Sequence, residues 1–204
     1  MREQGNNHKY TARGVDRIVF FSDAVFAIAI TLLALEIKLP EEVDLNSNSN
    51  LAHVLGSMFP QFLAFALSFL IIGVFWSSHV RKYRALIRYD QLFVMLNLLL
   101  LMLIAFMPFP TSLISGSPTY ISVVLYSSVL VIIGGMSALN WAYAVKNRLV
   151  DTTYAKSNYT REFRGPLIMA LVFFMSIGIA FINPSLAMWS WLLLIPALFY
   201  FRQK

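Results

Sequence analysis

A long uncharged run in the middle of the chain constrains its fold most. From Gln91 to Val145 there is no Asp, Glu, Lys or Arg. A helix needs about 20 apolar residues to cross about 30 Å of hydrocarbon, so this run is long enough for two crossings. The whole chain of 204 residues is 58% hydrophobic and 13% charged, more apolar surface than a soluble domain of this length can bury. The sequence therefore predicts an all-α membrane protein with several spans.

The apolar runs predict six transmembrane helices in one domain over residues 1–204, after a short polar N-terminal segment, 1–15. The turn signals Ser115–Pro118 (SGSP) and Asn183–Ser185 (NPS) separate the third helix from the fourth and the fifth from the sixth. Pro166 is suited to the first turn of the fifth helix, where its missing N–H costs little. The predicted helices span residues 16–37, 54–79, 90–114, 119–145, 166–182 and 185–201.

The distribution of basic residues predicts the orientation. With six spans, every Lys and Arg except Lys38 falls on the same side as the termini. The positive-inside rule then places both termini in the cytoplasm. Because topology accounts for the basic loops, the net charge of +6 does not indicate nucleic-acid binding.

Four ionisable residues fall within or at the ends of the predicted spans, where they are costly. Glu36 lies near the outer surface and is expected to be solvated. Asp90 is expected in the first turn of the third helix, where the helix dipole favours an acid. His79 ends the second helix and is most simply an interfacial histidine. Asp23 is the least easily explained, because it lies well inside the first helix.

Helical geometry separates two faces of the first helix. At about 100° per residue, Ile28, Leu32 and Leu35 fall within about 60° of one another, and Thr31 lies on their flank. Asp23 points roughly 140° away from Ile28. The spacing therefore predicts one apolar stripe and, away from it, a carboxylate.

Small residues share the side of the helix that carries Asp23. Ala27 and Ala34 there would let another helix approach closely, so Asp23 is expected to pack against a neighbouring helix. Arg17 is about 120° round from Asp23, which does not favour a simple ion pair between them. Asp23 is thus interpreted as a structural lock, whose candidate hydrogen-bond donors are Ser22, the indole N–H of Trp76, His79 or an arginine.

The segment Arg17–Asp23, RIVFFSD, fits the pattern R-x-x-x-F-S-D and runs into the apolar part of the first helix. It resembles the prokaryotic branch of the transmembrane protein 175 family, which are potassium-selective channels of lysosomes and endosomes in animals. Phe75–Arg84 (FWSSHVRKYR) and Asn97–Ile114 (NLLLLMLIAFMPFPTSLI) resemble the second and third spans of that family. The motif occurs once, so the chain resembles the single six-helix form rather than the two-repeat animal channels.

The resemblance implies a homotetramer in the lipid bilayer, with a pore lined by the first helix of each subunit. It implies that Ile28, Leu32 and Leu35 form apolar rings that act as a hydrophobic gate, and that Thr31 supplies a hydroxyl layer linked with potassium preference. It implies potassium as the permeant ion, no cofactor, no resident metal, no catalytic residue, and a location in the prokaryotic plasma membrane. The residues it implies for a structural polar network are Arg17, Phe21, Ser22, Asp23, Trp76 and His79.

Two other functions compete with a passive channel. A cation or proton-coupled secondary transporter could use Asp23 and His79 as relay groups. Such carriers typically contain helices broken by Gly or Pro at the midplane, and spans one to four show no clear break of that kind. An intramembrane enzyme is disfavoured, because the sequence has no H-E-x-x-H motif, no cysteine and no second aspartate suited to a catalytic pair. There is also no T-V-G-Y-G filter sequence, so carbonyl-based selectivity is not expected.

Overall fold

The computed structural model describes residues 2–39, 48–116 and 119–191, and this part of the chain is helical, with one isolated antiparallel bridge between Leu86 and Val150. A short 3₁₀ turn, Leu33–Glu36, continues the first helix. The α-helices of these described residues are α1 (Arg2–Leu32), α2 (Asn48–Ser57), α3 (Phe59–Arg84), α4 (Gln91–Phe106), α5 (Pro108–Ser115), α6 (Tyr120–Lys146), α7 (Thr152–Ala180) and α8 (Pro184–Ser190).

Polar residues at the starts of the later helices fix where those helices begin. The carboxylate of Asp90 accepts the backbone N–H of Phe93 at 2.8 Å and so caps α4. Thr119 forms a reciprocal capping box at the start of α6. The side chains of Asp151 and Asn183 accept backbone N–H groups at the starts of α7 and α8, as Asp90 does for α4. Each cap satisfies backbone donors that have no partner within the helix.

Within the described ranges, five segments are long and apolar enough to cross a membrane, which confirms an all-helical membrane protein. They correspond to the first five predicted spans. The sixth predicted span begins as α8, and the rest of it, residues 192–201, lies outside the described residues. The five segments are Gly14–Glu36, Phe59–Arg84, Gln91–Ser115, Tyr120–Lys146 and Thr152–Ala180.

We call the end of the bundle that carries Arg84 and Lys146 the basic end. Two predicted helix boundaries at this end were wrong. The second helix does not stop at residue 79 but continues to Arg84. The fifth begins at Thr152 rather than at residue 166, so Pro166 lies inside it and not in its first turn. Polar residues there were interpreted as connections because apolar periodicity alone does not reveal a helix whose buried face is polar.

The first and third predicted spans also differ in detail. The first is helical from Arg2, although residues 1–15 were predicted only as a polar segment, and it ends in a 3₁₀ turn before an extended Ile37. The third is interrupted at Met107, where α4 ends and α5 begins with Pro108. Pro108 has no N–H to continue the helix, so the expectation that spans one to four lack a proline break was wrong for this span.

The interior contains two buried clusters. The larger lies among the apolar parts of α1, α3, α4, α6 and α7 and includes Phe26, Ile72 and Phe173. The smaller lies at the basic end and includes Tyr83 and Trp141. The backbones of the two connections at that end also pair, through the N–H groups of residues 87, 88 and 151. At the basic end of the bundle, α3, α4, α6 and α7 are therefore held together by both packing and hydrogen bonds.

Among the described helices, α6 and α7 share the most extensive contact. At Gly134 an added Cβ would lie 2.6 Å from the carbonyl oxygen of Pro166 and 2.9 Å from the Cβ of Ala170. Only glycine permits this approach, because real Cβ atoms do not come that near to backbone. The next residue, Gly135, has nothing within 4 Å of the same position.

Candidate functional site

The predicted apolar stripe lies on the open face of α1. Ile28 is 57% exposed, Leu32 39% and Leu35 67%, and Thr31 is exposed beside them. Leu35 lies in the 3₁₀ turn, where three residues complete about one turn. Leu35 therefore stays above Leu32 and the stripe continues in spite of the change in helix type. No other helix of the described chain covers it.

The opposite face of α1 anchors the helix to the rest of the subunit. Its members are all buried and lie roughly 100–160° round the helix from Ile28. Phe26 and Leu33 pack into the larger cluster, while Ser22 makes hydrogen bonds. One helix thus has a fixed side and a free side, and the free side is the predicted stripe. The anchoring residues are Val15, Ser22, Phe26, Ala29 and Leu33.

Asp23 lies at the edge between these two faces. It is half-buried, and its Oδ1 accepts a hydrogen bond of 2.9 Å from the indole Nε1 of Trp76 on α3. The small-residue spacing predicts that a helix packs on Ala27 and Ala34. Both are exposed, so no helix of the described residues packs on them. Arg17 is also exposed, and it forms no ion pair with Asp23 in the described chain.

Ser22 begins a chain of buried hydrogen bonds that crosses the subunit. Its hydroxyl donates to the carbonyl of Ile18 at 2.8 Å and accepts from Nδ2 of Asn97 at 3.1 Å. The amide oxygen of Asn97 accepts from the hydroxyl of Tyr83 at 2.8 Å, and that hydroxyl accepts from Nδ2 of Asn140 at 3.1 Å. Four helices, α1, α4, α3 and α6, are therefore joined in series. Such a chain fixes the height and rotation of α1, because each group must meet both of its neighbours.

His79 is buried next to this chain rather than lying at an interface. Its ring stacks on Tyr83 with centroids 3.8 Å apart and lies 5.3 Å from the ring of Phe26. It makes no hydrogen bond to Asp23 in the described part of the molecule. Of the predicted network, Ser22 and His79 are buried between α1 and α3, and the half-buried Asp23 is bonded to Trp76, whose side chain is 41% exposed. Arg17 and Phe21 are exposed.

A second set of polar contacts holds the basic ends of α3, α6 and α7. The buried carboxylate of Glu162 accepts from Nε of Arg81 at 3.0 Å and from Ser78 at 3.4 Å. Lys82 is only 4% exposed, and its ammonium donates to the carbonyl and hydroxyl of Ser137 at 3.1 and 2.8 Å. These contacts tie α3 to both α6 and α7.

Sequence reasoning missed several of these side chains. It considered ionisable groups within the spans and passed over Asn97 and Asn140, two amides in the uncharged run. An amide within an apolar helix is costly to leave unpaired, and this signal could have identified both. Lys82 and Glu162 were missed because their segments were interpreted as connections. Among the described residues, no three His, Cys, Asp or Glu side chains are placed to hold a metal ion.

Comparison with known protein families matches residues 17–108 to the endosomal/lysosomal potassium channel TMEM175. A potassium channel of Streptomyces collinus is 34% identical over 182 residues, which cover 84% of this chain and 85% of that protein. The zebrafish endosomal/lysosomal proton channel TMEM175 is 28% identical over 127 residues, 60% of this chain and 24% of that protein.

A solved structure shares the whole architecture. The crystal structure of a lysosomal potassium-selective channel TMEM175 homolog from Chamaesiphon minutus superposes with a TM-score of 0.77 and 31% sequence identity. The match covers 94% of this chain and 97% of that chain. The similarity therefore extends beyond the first four helices to the described fold as a whole.

Proposed function

Because the chain belongs to the TMEM175 family, an ion channel family and not a family of enzymes, we propose that it is a potassium-selective channel that conducts passively. The observation that carries the proposal is the similarity along nearly the whole chain to bacterial potassium channels. The open stripe of α1 is consistent with it, since an apolar face that is covered by no helix of the described subunit is available to line a pore.

We further propose that four copies assemble around this stripe. A single helix per subunit cannot enclose a pathway, so a closed cyclic arrangement is needed. The exposed Ala27 and Ala34 lie beside the stripe and would allow close approach of a helix from a neighbouring copy. In this arrangement all six spans are present, both termini are cytoplasmic, and the protein resides in the prokaryotic plasma membrane.

The proposed pore would work without a filter of backbone carbonyls. Rings of Ile28, Leu32 and Leu35 offer an ion no ligands, so a narrow ring would close the pathway by dewetting. In an open pore the ring would strip part of the hydration shell, which costs potassium less than sodium. Thr31 donates its hydroxyl hydrogen to the carbonyl of Ile28 at 2.9 Å, which leaves the lone pairs of its oxygen free to face a cation.

The polar contacts behind the stripe would hold this geometry. The bond from Trp76 to Asp23 fixes one side of α1, and the chain through Ser22 and Asn97 fixes the other. Asp23 and His79 then have structural roles. A proton-coupled carrier that relays protons between them is disfavoured, because they are not hydrogen-bonded to each other within the described residues.

Ion flux through purified protein in liposomes tests the proposal. With a potassium gradient, we expect passive potassium efflux that falls when sodium replaces potassium. Vertebrate relatives are named proton channels, so a second arm applies a pH gradient without potassium and measures proton flux. Flux that saturates and requires both ions together would support the carrier instead, and the absence of cation flux in every arm would contradict the channel.

Substitution of Ile28 by Asn tests whether the stripe lines the pathway. A polar ring should stay wet, so we expect a higher potassium flux and a weaker preference over sodium. The matched control is Ile132→Asn, at an isoleucine of α6 that is 50% exposed and far from the stripe in sequence. Equal flux from both variants would show that α1 does not form the barrier.

Substitution of Thr31 by Val removes the hydroxyl and keeps the shape. If the hydroxyl favours potassium over sodium by about 1 kcal/mol, its loss would lower the potassium-to-sodium permeability ratio about fivefold. Total conductance need not rise. Thr160→Val, at an exposed threonine of α7, is the control and should leave the ratio unchanged. An unaltered ratio in Thr31→Val would remove Thr31 from the selectivity mechanism.

A further inference from the structure

A small cavity lies at the basic end of the bundle, between α3, α4 and α6. It has about 10 Å³ of space for the centre of a water molecule, about enough for one water. Leu86, Phe93 and Leu100 form part of its apolar wall. The polar residues that line it are all at least nine-tenths buried and are His79, Lys82, Tyr83, Ser137, Asn140 and Trp141.

Three polar atoms of these residues have no hydrogen-bond partner in the described structure. They are Nε2 of His79, Oδ1 of Asn140 and Nε1 of Trp141. Each would cost about 1–3 kcal/mol if it stayed unpaired. Three such atoms, all on residues that line one cavity, indicate a common ligand rather than three separate defects.

The chain from Ser22 to Asn140 dictates what that ligand must offer. The carbonyl of Ile18 can only accept, so the single hydroxyl hydrogen of Ser22 goes to it. Asn97 must then donate to Ser22 through Nδ2, which leaves its Oδ1 to accept from Tyr83. Tyr83 has used its hydrogen and accepts from Nδ2 of Asn140. The free end of the chain is therefore Oδ1 of Asn140, which needs a donor.

Two other residues that line the cavity, Trp141 and Lys82, need a hydrogen-bond acceptor instead. The indole N–H of Trp141 can only donate, and the ammonium of Lys82 has a third hydrogen beyond the two given to Ser137. Nε2 of His79 can accept or donate, depending on the tautomer. The ligand must therefore both donate and accept, within a very small volume.

We propose that this cavity binds one ordered water molecule, which donates to Asn140 and His79 and accepts from Trp141 and Lys82. A water offers two hydrogens and two lone pairs, so all four groups are satisfied at once. A halide accepts only and would leave Asn140 unpaired. A potassium or sodium ion is excluded as the ligand, because the ammonium of Lys82 and the indole N–H of Trp141 would both repel it.

This water would complete the anchor of α1. It closes the end of the hydrogen-bond chain that begins at Ser22 and links that chain to Lys82, which is itself bonded to α6. The site is independent of the proposed pore and is formed within one subunit. An experiment that finds no water there would not contradict the proposed channel function. An experiment that finds no ion flux would not contradict the bound water.

Magnetisation transfer from water to the tryptophan indole protons tests the proposal. The full chain is labelled with ¹⁵N-tryptophan in detergent micelles, and the four indole signals are assigned with Trp→Phe variants. We expect a cross-peak between water and the indole proton of Trp141. Trp191 is the control, because it is also buried and its Nε1 donates to the hydroxyl of Ser176 at 2.7 Å. Transfer relayed by an exchanging hydroxyl would therefore appear at Trp191 as well.

A cross-peak at Trp141 that is absent at Trp191 supports the bound water. Its absence at Trp141, or equal peaks at both, would overturn the proposal, as would a shift of the Trp141 signal when bromide replaces chloride. Ala144→Val should fill the cavity and abolish the cross-peak, since Ala144 lines it. Ala138→Val, at another buried alanine of α6 that does not line the cavity, should retain it. If Ala144→Val does not fold, the comparison of Trp141 with Trp191 in the unaltered chain still decides the question.

Discussion

Removal of the Tyr83 hydroxyl would break the hydrogen-bond chain that fixes α1. This hydroxyl is the central link, since it donates to Asn97 at 2.8 Å and accepts from Asn140 at 3.1 Å. Tyr83→Phe keeps the ring, which stacks on His79 and lies near Phe93. The substitution therefore changes hydrogen bonding and leaves the packing of the ring almost unchanged.

The magnitude follows from the two groups that lose their partner. Oδ1 of Asn97 and Nδ2 of Asn140 would both be left unpaired, and these residues are only 1% and 3% exposed. An unpaired buried polar group costs about 1–3 kcal/mol, so the free energy of unfolding should fall by about 2–6 kcal/mol. At about 2–4 °C per kcal/mol for a chain of this size, the melting temperature should fall by at least about 4 °C.

Thermal unfolding in detergent, followed by tryptophan fluorescence, measures this effect. Tyr159→Phe is the matched control, because Tyr159 is 38% exposed and stacks on Phe163 in a similar way. Its melting temperature should stay within about 2 °C of the unaltered chain, since surface substitutions rarely exceed about 0.5 kcal/mol. Equal melting temperatures for the two variants would refute the claim that the buried chain stabilises the fold.

Two further substitutions, Gly134→Ala with Gly135→Ala as its control and Glu162→Ala, test the packing of α7. Gly134→Ala places a Cβ 2.6 Å from the carbonyl oxygen of Pro166, so it should lower the free energy of unfolding by about 1–3 kcal/mol. Gly135→Ala should be neutral or slightly stabilising. Equal melting temperatures for the two variants would contradict the close contact between α6 and α7. Glu162→Ala removes the carboxylate 3.0 Å from Nε of Arg81 and should cost about 1–3 kcal/mol, a modest value because Arg81 is partly exposed. Most of that loss should persist at 1 M salt, since burial limits screening, and a loss that vanishes with salt would argue against a buried pair.

The sequence by itself determined the membrane class, the approximate positions of five spans and the apolar stripe of α1. These features depend on local composition and on helical periodicity, which neighbouring segments do not change. The exposed positions of Ile28, Leu32 and Leu35 agree with the spacing even though the helix becomes 3₁₀ before Leu35. The motif at Arg17–Asp23 led to the family, which the whole-chain comparisons confirmed.

The tertiary structure alone decided which polar groups meet. Ser22 and Asn97 are 75 residues apart in the chain, and Tyr83 and Asn140 are 57 apart, so no local pattern pairs them. The early start of α7 was also hidden, because its first turns bury a carboxylate, Glu162, instead of an apolar stripe. A hydrogen bond needs one donor and one acceptor at a fixed distance, and only the packing of helices from distant parts of the sequence determines that distance.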